Sequence, residues 1–140
     1  NEIINNIRVD LSSGQIFKVL VVEDNKINQT ITKKIIEKNN CSCFIVDDGF
    51  QALDVLNKEV FDVILMDINM PLISGFETTR KIRLKGIQTP IIALTAFAKD
   101  EITEEALDAG MNDIMIKPFE SIKLFQVINN QIKKNKNAVL

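Results

Sequence analysis

The stretch IFKVLVVEDNKINQTITKKIIEK, Ile16 to Lys38, carries the reading on which the fold depends. Its first part, Ile16 to Val22, is mostly apolar and rich in β-branched side chains, the mark of a strand buried on both faces. Two acids and a short polar break follow. Ile27, Ile31 and Ile35 then recur at i, i+4 and i+8, which predicts a helix from about Lys26 to Lys38 with that row facing the core. A buried strand running directly into an amphipathic helix is one β-α unit.

The unit repeats. Apolar runs at Cys43 to Val46, Val60 to Met66, Ile91 to Leu94 and Asp113 to Ile116 read as four more strands. Ala52, Leu53 and Leu56 mark a second helix. Gly75 to Leu84 makes a third, with Phe76, Thr79 and Ile82 inward and Arg80, Lys81 and Arg83 in water. Asp100 to Ala109 makes a fourth, facing the sheet through Ile102 and Ala106. Phe125, Ile128 and Ile132 give a fifth its core stripe, with Glu120 or Ser121 near its start and a Lys-rich end that suits the helix dipole.

Short connections between alternating strands and helices imply α/β architecture, a single doubly wound (βα)5 parallel sheet covered on both sides. The expected strand order is the flavodoxin-like 2-1-3-4-5, taken from known sheets of five such units, with the site at the carboxyl ends of the strands. Residues 1–15 read as a polar linker, 16–135 as the domain and 136–140 as a tail that frays from Lys133. The chain opens with Asn and not Met, as a segment of a longer protein or a processed product does.

At 140 residues and 46% apolar content, one domain with one core is the default. A formal charge of −2 favours neither a nucleic-acid backbone nor an anionic membrane. The apolar runs are too short to span a bilayer, so the expected compartment is the cytoplasm. Cys41 and Cys43 are accordingly read as reduced thiols. The absence of histidine excludes a His-based dyad and a His-ligated zinc site.

Position in the fold selects the chemistry. Glu23 and Asp24 follow the first strand, Asp67 the third, Thr95 the fourth and Lys117 the fifth, so all five converge on one edge. Taken singly, the acids read as turn residues, Thr95 as a buried hydroxyl bonded to backbone and Lys117 as a solvated lysine; convergence is what argues against those readings. At about 4 Å and an effective dielectric near 20, a like-charged carboxylate pair costs roughly 4 kcal/mol, so something positive must answer them. An oxygen-rich pocket suits a hard cation that keeps several waters, and magnesium fits better than zinc. With Lys117 as a second positive charge, such a pocket could neutralise the oxygens of a phosphoryl group on Asp67, while Thr95 offers a hydroxyl donor.

The runs VLVVEDN at Val19 to Asn25, ILMDINMP at Ile64 to Pro71, ALTA at Ala93 to Ala96 and IKPF at Ile116 to Phe119 resemble the response-regulator receiver family of two-component signalling, over about residues 16 to 135. The resemblance implies that Asp67 is the phosphoacceptor, Asp24 a direct magnesium ligand and Glu23 an acid acting largely through water. Asn69 would lend its backbone carbonyl to the metal, Thr95 and Lys117 would contact the phosphoryl oxygens, and the bond from Lys117 to Pro118 would be cis. The implied partner is a histidine kinase or a histidine phosphotransfer domain. The donor histidine must lie elsewhere, since this chain has none.

The wider patterns EDNKINQ and MDINMPLISGFE are most similar to receivers of hybrid sensor histidine kinases, with a stand-alone response regulator as the alternative. The implied domain is no enzyme beyond its own phosphorylation and dephosphorylation, makes no direct contact with nucleic acid or membrane, and is a monomer or weak dimer. Ile114 departs from the family, which often has an aromatic residue three before the lysine that swings inward on activation; a branched aliphatic cannot copy that movement.

Two rivals fit less well. A haloacid-dehalogenase-type phosphohydrolase places its nucleophile after the first strand in an Asp-x-Asp arrangement, whereas here Glu23-Asp24 stands there. A flavin-binding module needs a loop after that strand that presents backbone N–H groups to a phosphate, and these acids would repel it.

Overall fold

Five strands and five helices alternate along residues 17–96 and 99–139, which the computed structural model describes. They are β1 (Lys18–Val22), α1 (Lys26–Lys38), β2 (Ser42–Val46), α2 (Gly49–Leu56), β3 (Val63–Asp67), α3 (Gly75–Leu84), β4 (Ile91–Thr95), α4 (Lys99–Ala109), β5 (Asp113–Ile116) and α5 (Ser121–Val139). The strands form one parallel sheet in the order β2-β1-β3-β4-β5, the doubly wound flavodoxin-like arrangement. The expected linker at 1–15, Ile16 and Leu140 lie outside the described residues.

Alternation along the strands divides the core in two. Val19, Val21, Val63, Leu65, Ile92 and Leu94 face α1 and α5, meeting Ile36, Phe125, Ile128 and Ile132. Leu20, Val22, Ile64, Met66, Ile91 and Ala93 face α2, α3 and α4. β3 and β4 are buried along their whole length, as central strands of a sheet covered on both sides must be. Side chains start three of the helices: Asn25, Asp48 and Ser74 each accept a hydrogen bond from the backbone N–H three residues on.

Four expectations need correction. β3 starts at Val63 and takes in Asp67, while Val60 is exposed. Ile27 and Ile31 do not face the core: they are 71% and 51% exposed, and the inward stripe is Gln29, Thr32 and Ile36. Each i+4 step advances the phase of a helix by about 40°, so a row at that spacing winds off the contact face. Arg83 is not a wet residue of α3, because its guanidinium is drawn under the sheet by four acceptors. α5 continues past Lys133, where a tail was expected, to Val139.

Cys41 and Cys43 are both free and both pack on the α1/α5 side. Burial foremost pushes each thiol up to about 11, so neither is a thiolate at neutral pH.

Candidate functional site

The site is assembled by strand register. Val22 lies opposite Met66 in the parallel ladder, so Glu23 and Asp67, one residue further on, emerge side by side. The Glu23 N–H donates to the Val46 carbonyl at 3.1 Å, which prolongs the ladder just far enough to hold the residue level with β2. On the other side Thr95 pairs with Ile116, and the Lys117 N–H donates to the Thr95 carbonyl at 2.7 Å. The Lys117–Pro118 bond is cis.

The loop after β3 turns back tightly. Gly75 donates its N–H to the Ile68 carbonyl at 2.9 Å, and a Cβ there would sit 2.4 Å from the Asp67 carbonyl oxygen, so the close return requires glycine. Leu72 sits at φ +71° in the same turn, which the Ile73 N–H closes on the Pro71 carbonyl at 2.8 Å. This path keeps Asn69 beside Asp67, and its N–H donates to Asp67 Oδ1 at 3.2 Å.

One carboxylate oxygen from each of Glu23, Asp24 and Asp67 lies within 4.8 Å of the others. Glu23 and Asp67 are buried and Asp24 is exposed, so the cluster opens to solvent on one side. Lys117 Nζ is 2.8 Å from Glu23 Oε1 and 3.6 Å from Asp67 Oδ2. Three carboxylates against one ammonium leave two negative charges uncompensated, the charge of one divalent cation. The electrostatics record that deficit. Burial, then the hydrogen bond and charge of Glu23, push Asp67 up to about 7 against the pull of Lys117. Burial works in the same direction on Glu23, but hydrogen bonds from Lys117, Asp67 and the Asn25 N–H hold it below its ordinary value. The two acids behave as a pair that retains a proton an isolated carboxylate would lose.

All donors in the cluster are hard oxygens, with no sulfur or imidazole among them, which fits a small oxygen-preferring cation such as magnesium. Thus Glu23, Asp24, Asp67, Asn69 and Lys117 are brought together as the sequence implied. Thr95 is buried at the next strand end and is tied to Lys117 through its own carbonyl. Ile114, three residues before the lysine, is buried in the α2–α4 core.

A cavity of about 420 Å³ adjoins the acids between α1 and the β5–α5 turn, with Ile31, Thr32, Pro118 and Phe119 in its walls together with Glu23 and Lys117. Exposed Ile27 belongs to the same helix. One further residue escapes a reading by strand ends. Gln29, buried in α1, donates to the Glu23 carbonyl and to Asp47 Oδ1, so it touches the site from behind. Its signal was helix phase: had the inward stripe been placed on Ile36 and Thr32, a polar residue at position 29 would have stood out as buried.

Comparison with known proteins agrees with the geometry. The family model of the response regulator receiver domain matches residues 19–129. The chain is 42% identical over 137 residues to hybrid signal transduction histidine kinase I of Dictyostelium discoideum, covering 90% of this chain and 8% of that protein. It is 45% identical over 113 residues to the autoinducer 2 sensor kinase/phosphatase LuxQ of Vibrio vulnificus, covering 79% of this chain and 13% of that protein. The chain therefore spans only a small part of the relatives it matches. Among solved structures, the receiver domain of a sensor histidine kinase from Pseudomonas aeruginosa, with a magnesium ion coordinated in its active site cleft, superposes with a TM-score of 0.78 at 37% identity, covering 85% of this chain and 99% of that one.

Proposed function

Because the chain belongs to the response regulator receiver family of two-component signalling, we propose that Asp67 is its phosphoacceptor and that the domain takes a phosphoryl group from a phosphohistidine on a partner. The observation that carries this reading is the gathering of Glu23, Asp24 and Asp67 around one lysine at the carboxyl edge of the sheet, with two negative charges left over.

In the transfer an Asp67 carboxylate oxygen bonds to phosphorus as the bond from phosphorus to the imidazole nitrogen breaks, and the donor imidazole keeps the electron pair and takes up a proton. Asp24, Asp67 and the Asn69 carbonyl would hold magnesium, with Glu23 acting largely through water, and the ion would supply positive charge that a phosphoryl group requires. Lys117, already between Glu23 and Asp67, donates to a phosphoryl oxygen, and Thr95 donates its hydroxyl to another. The domain is thus a phosphoryl carrier with one acceptor per chain.

The partner is a histidine kinase or histidine phosphotransfer domain, and its surface around the histidine docks on Ile27, Ile31 and the adjoining cavity. No helix among the described residues is long and apolar enough to cross a membrane, and on this reading the domain works in the cytoplasm, as part of a hybrid histidine kinase.

Incubation with phosphoramidate or acetyl phosphate should add the mass of one phosphoryl group in the presence of magnesium and none in EDTA. Asp67→Asn should add none under either condition; a gain that survives this substitution rejects the assignment. Ile27→Lys should slow transfer from a phosphorylated protein donor about tenfold or more, as loss of a central apolar anchor does, while leaving phosphoramidate labelling intact. Equal rates with the protein donor would remove Ile27 from the docking surface.

A further inference from the structure

Gln29 is a buried amide on a helix face whose other members are Thr32 and Ile36. A side chain of this kind is costly to bury unless its donors are used, and an apolar residue would fill the same volume. Its donors are used. Nε2 meets the Glu23 carbonyl oxygen and Asp47 Oδ1, the latter at 2.7 Å. Asp47 lies just past the end of β2 and is itself fixed, with its N–H on Gln51 Oε1 at 2.8 Å and its carboxylate on Lys26 Nζ at 2.9 Å.

The position of that carbonyl oxygen matters. It belongs to the rigid peptide plane joining Glu23 to Asp24, so holding it sets the direction in which Asp24 leaves the backbone. Glu23 has three other restraints: its N–H on Val46, Oε2 on the Asn25 N–H at 3.1 Å and Oε1 on Lys117. Asp24 is exposed, and the orientation of its carboxylate depends on the plane before it.

We propose that Gln29 is a positioning residue for the divalent cation, clamping the Glu23–Asp24 peptide against Asp47 so that the third carboxylate of the cluster is aimed before the cation arrives. The proposal rests on the receiver reading of the site. Without the amide no ligand is lost, but Asp24 must be ordered at the moment of binding, and affinity falls. Partners that orient metal ligands from behind are worth about 10 to 100-fold in affinity, and a clamp acting through one peptide plane belongs at the lower end.

The test uses the full chain and the variants Gln29→Met, Asp47→Ala, Asp47→Asn and Gln29→Met/Asp47→Ala. Magnesium affinity is read from backbone amide shifts in an NMR titration, and hydrogen exchange at Asp24 and Asn25 is followed in EDTA with the central sheet amides as reference. Gln29→Met should weaken magnesium about tenfold and speed exchange at those two amides while the sheet amides keep wild-type rates. Asp47→Ala should act in the same direction, Asp47→Asn should retain most of the affinity because an acceptor oxygen remains, and the double variant should be no worse than Gln29→Met. Wild-type affinity and exchange in Gln29→Met overturn the proposal. So does an affinity loss accompanied by equal acceleration of the sheet amides, or failure of Asp47→Asn to differ from Asp47→Ala. If the wild type itself takes no magnesium, the receiver reading fails, and the exchange measurements in EDTA still decide whether the clamp exists.

Discussion

At the carboxyl end of the sheet Glu23, Asp24 and Asp67 share one ammonium group, and one buried acid is driven up to about 7. At the amino end a charge is also drawn out of water, yet every contact made to it is favourable. The Arg83 guanidinium donates to the carbonyls of Gly110 at 3.0 Å and of Ile87 and Thr89 at 2.8 Å each, and to Asn112 Oδ1 at 2.8 Å. That Asn112 oxygen also accepts the Ile91 N–H at 2.8 Å, and a Cβ on Gly110 would lie 2.8 Å from Arg83 Cγ. One side chain thereby ties the turn before β4 to the turn before β5. The two ends teach that burial of charge has no single meaning: where partners of opposite polarity surround it the charge holds the fold, and where like charges crowd together the fold shapes a site for a group of opposite charge.

The sharpest way to break this contrast is to exchange the consequences of losing each charge. Asp67→Asn should abolish phosphoryl uptake altogether yet leave the protein folded, whereas Arg83→Met should take up phosphoryl to full stoichiometry at a temperature where it is folded. Loss of labelling in folded Arg83→Met would mean that the ends are coupled and not divided as described. The next effect is on stability. Removing four hydrogen bonds from a charged donor leaves partly buried carbonyls without a partner, and a cost of about 3 kcal/mol follows, readable as a lower urea midpoint with unchanged slope. A cost under about 0.5 kcal/mol would reduce Arg83 to an ordinary surface residue.

The same contrast explains what was legible in the sequence. Strand-end acids could be read because each sits one or two residues past an apolar run, and parallel register then makes neighbours of Glu23 and Asp67 although they are far apart in the chain. Arg83 could not, because its acceptors at Gly110 and Asn112 lie 27 and 29 residues away and are a backbone carbonyl and a side-chain amide, neither of which marks an arginine site in sequence. Gln29 was hidden by a different error. The Ile27, Ile31 and Ile35 row satisfies a helical period, but period alone does not say which of two adjacent faces meets the sheet, and the face of Ile36 and Thr32 is the one turned inward, with Ile36 in the same core cluster as Val19 and Val21 of β1. Of the isoleucines left outside, Ile31 lines the cavity beside Glu23 and Ile27 is exposed on the same helix, where the partner docking surface is proposed.

The smallest effect distinguishes the two ends by pH. In cation-free protein Asp67 titrates near 7 when folded and near its ordinary 3.8 when unfolded, so between these values the native state holds a proton that the unfolded chain has released. Stability from this group is therefore complete below the unfolded value and is lost as pH rises through the folded one. Glu23 is shifted the other way, so its contribution is present above its ordinary 4.5 and fails only in more acid solution. Between pH 5.5 and 8 the slope thus belongs to Asp67, and since only the part of its titration above pH 5.5 falls in this window the loss should be about 2 kcal/mol, below the full value of the shift. Urea unfolding in EDTA at those two pH values should show the wild type weakening and Asp67→Asn nearly flat and more stable at pH 8. Arg83→Met should keep the wild-type slope from its lower starting point, because the guanidinium stays charged throughout this range. Saturating magnesium should flatten the wild-type slope by binding the ionised cluster of the native state. Parallel slopes for wild type and Asp67→Asn would show that the crowded acids at the carboxyl end carry no electrostatic cost, and the distinction between the two ends would be lost.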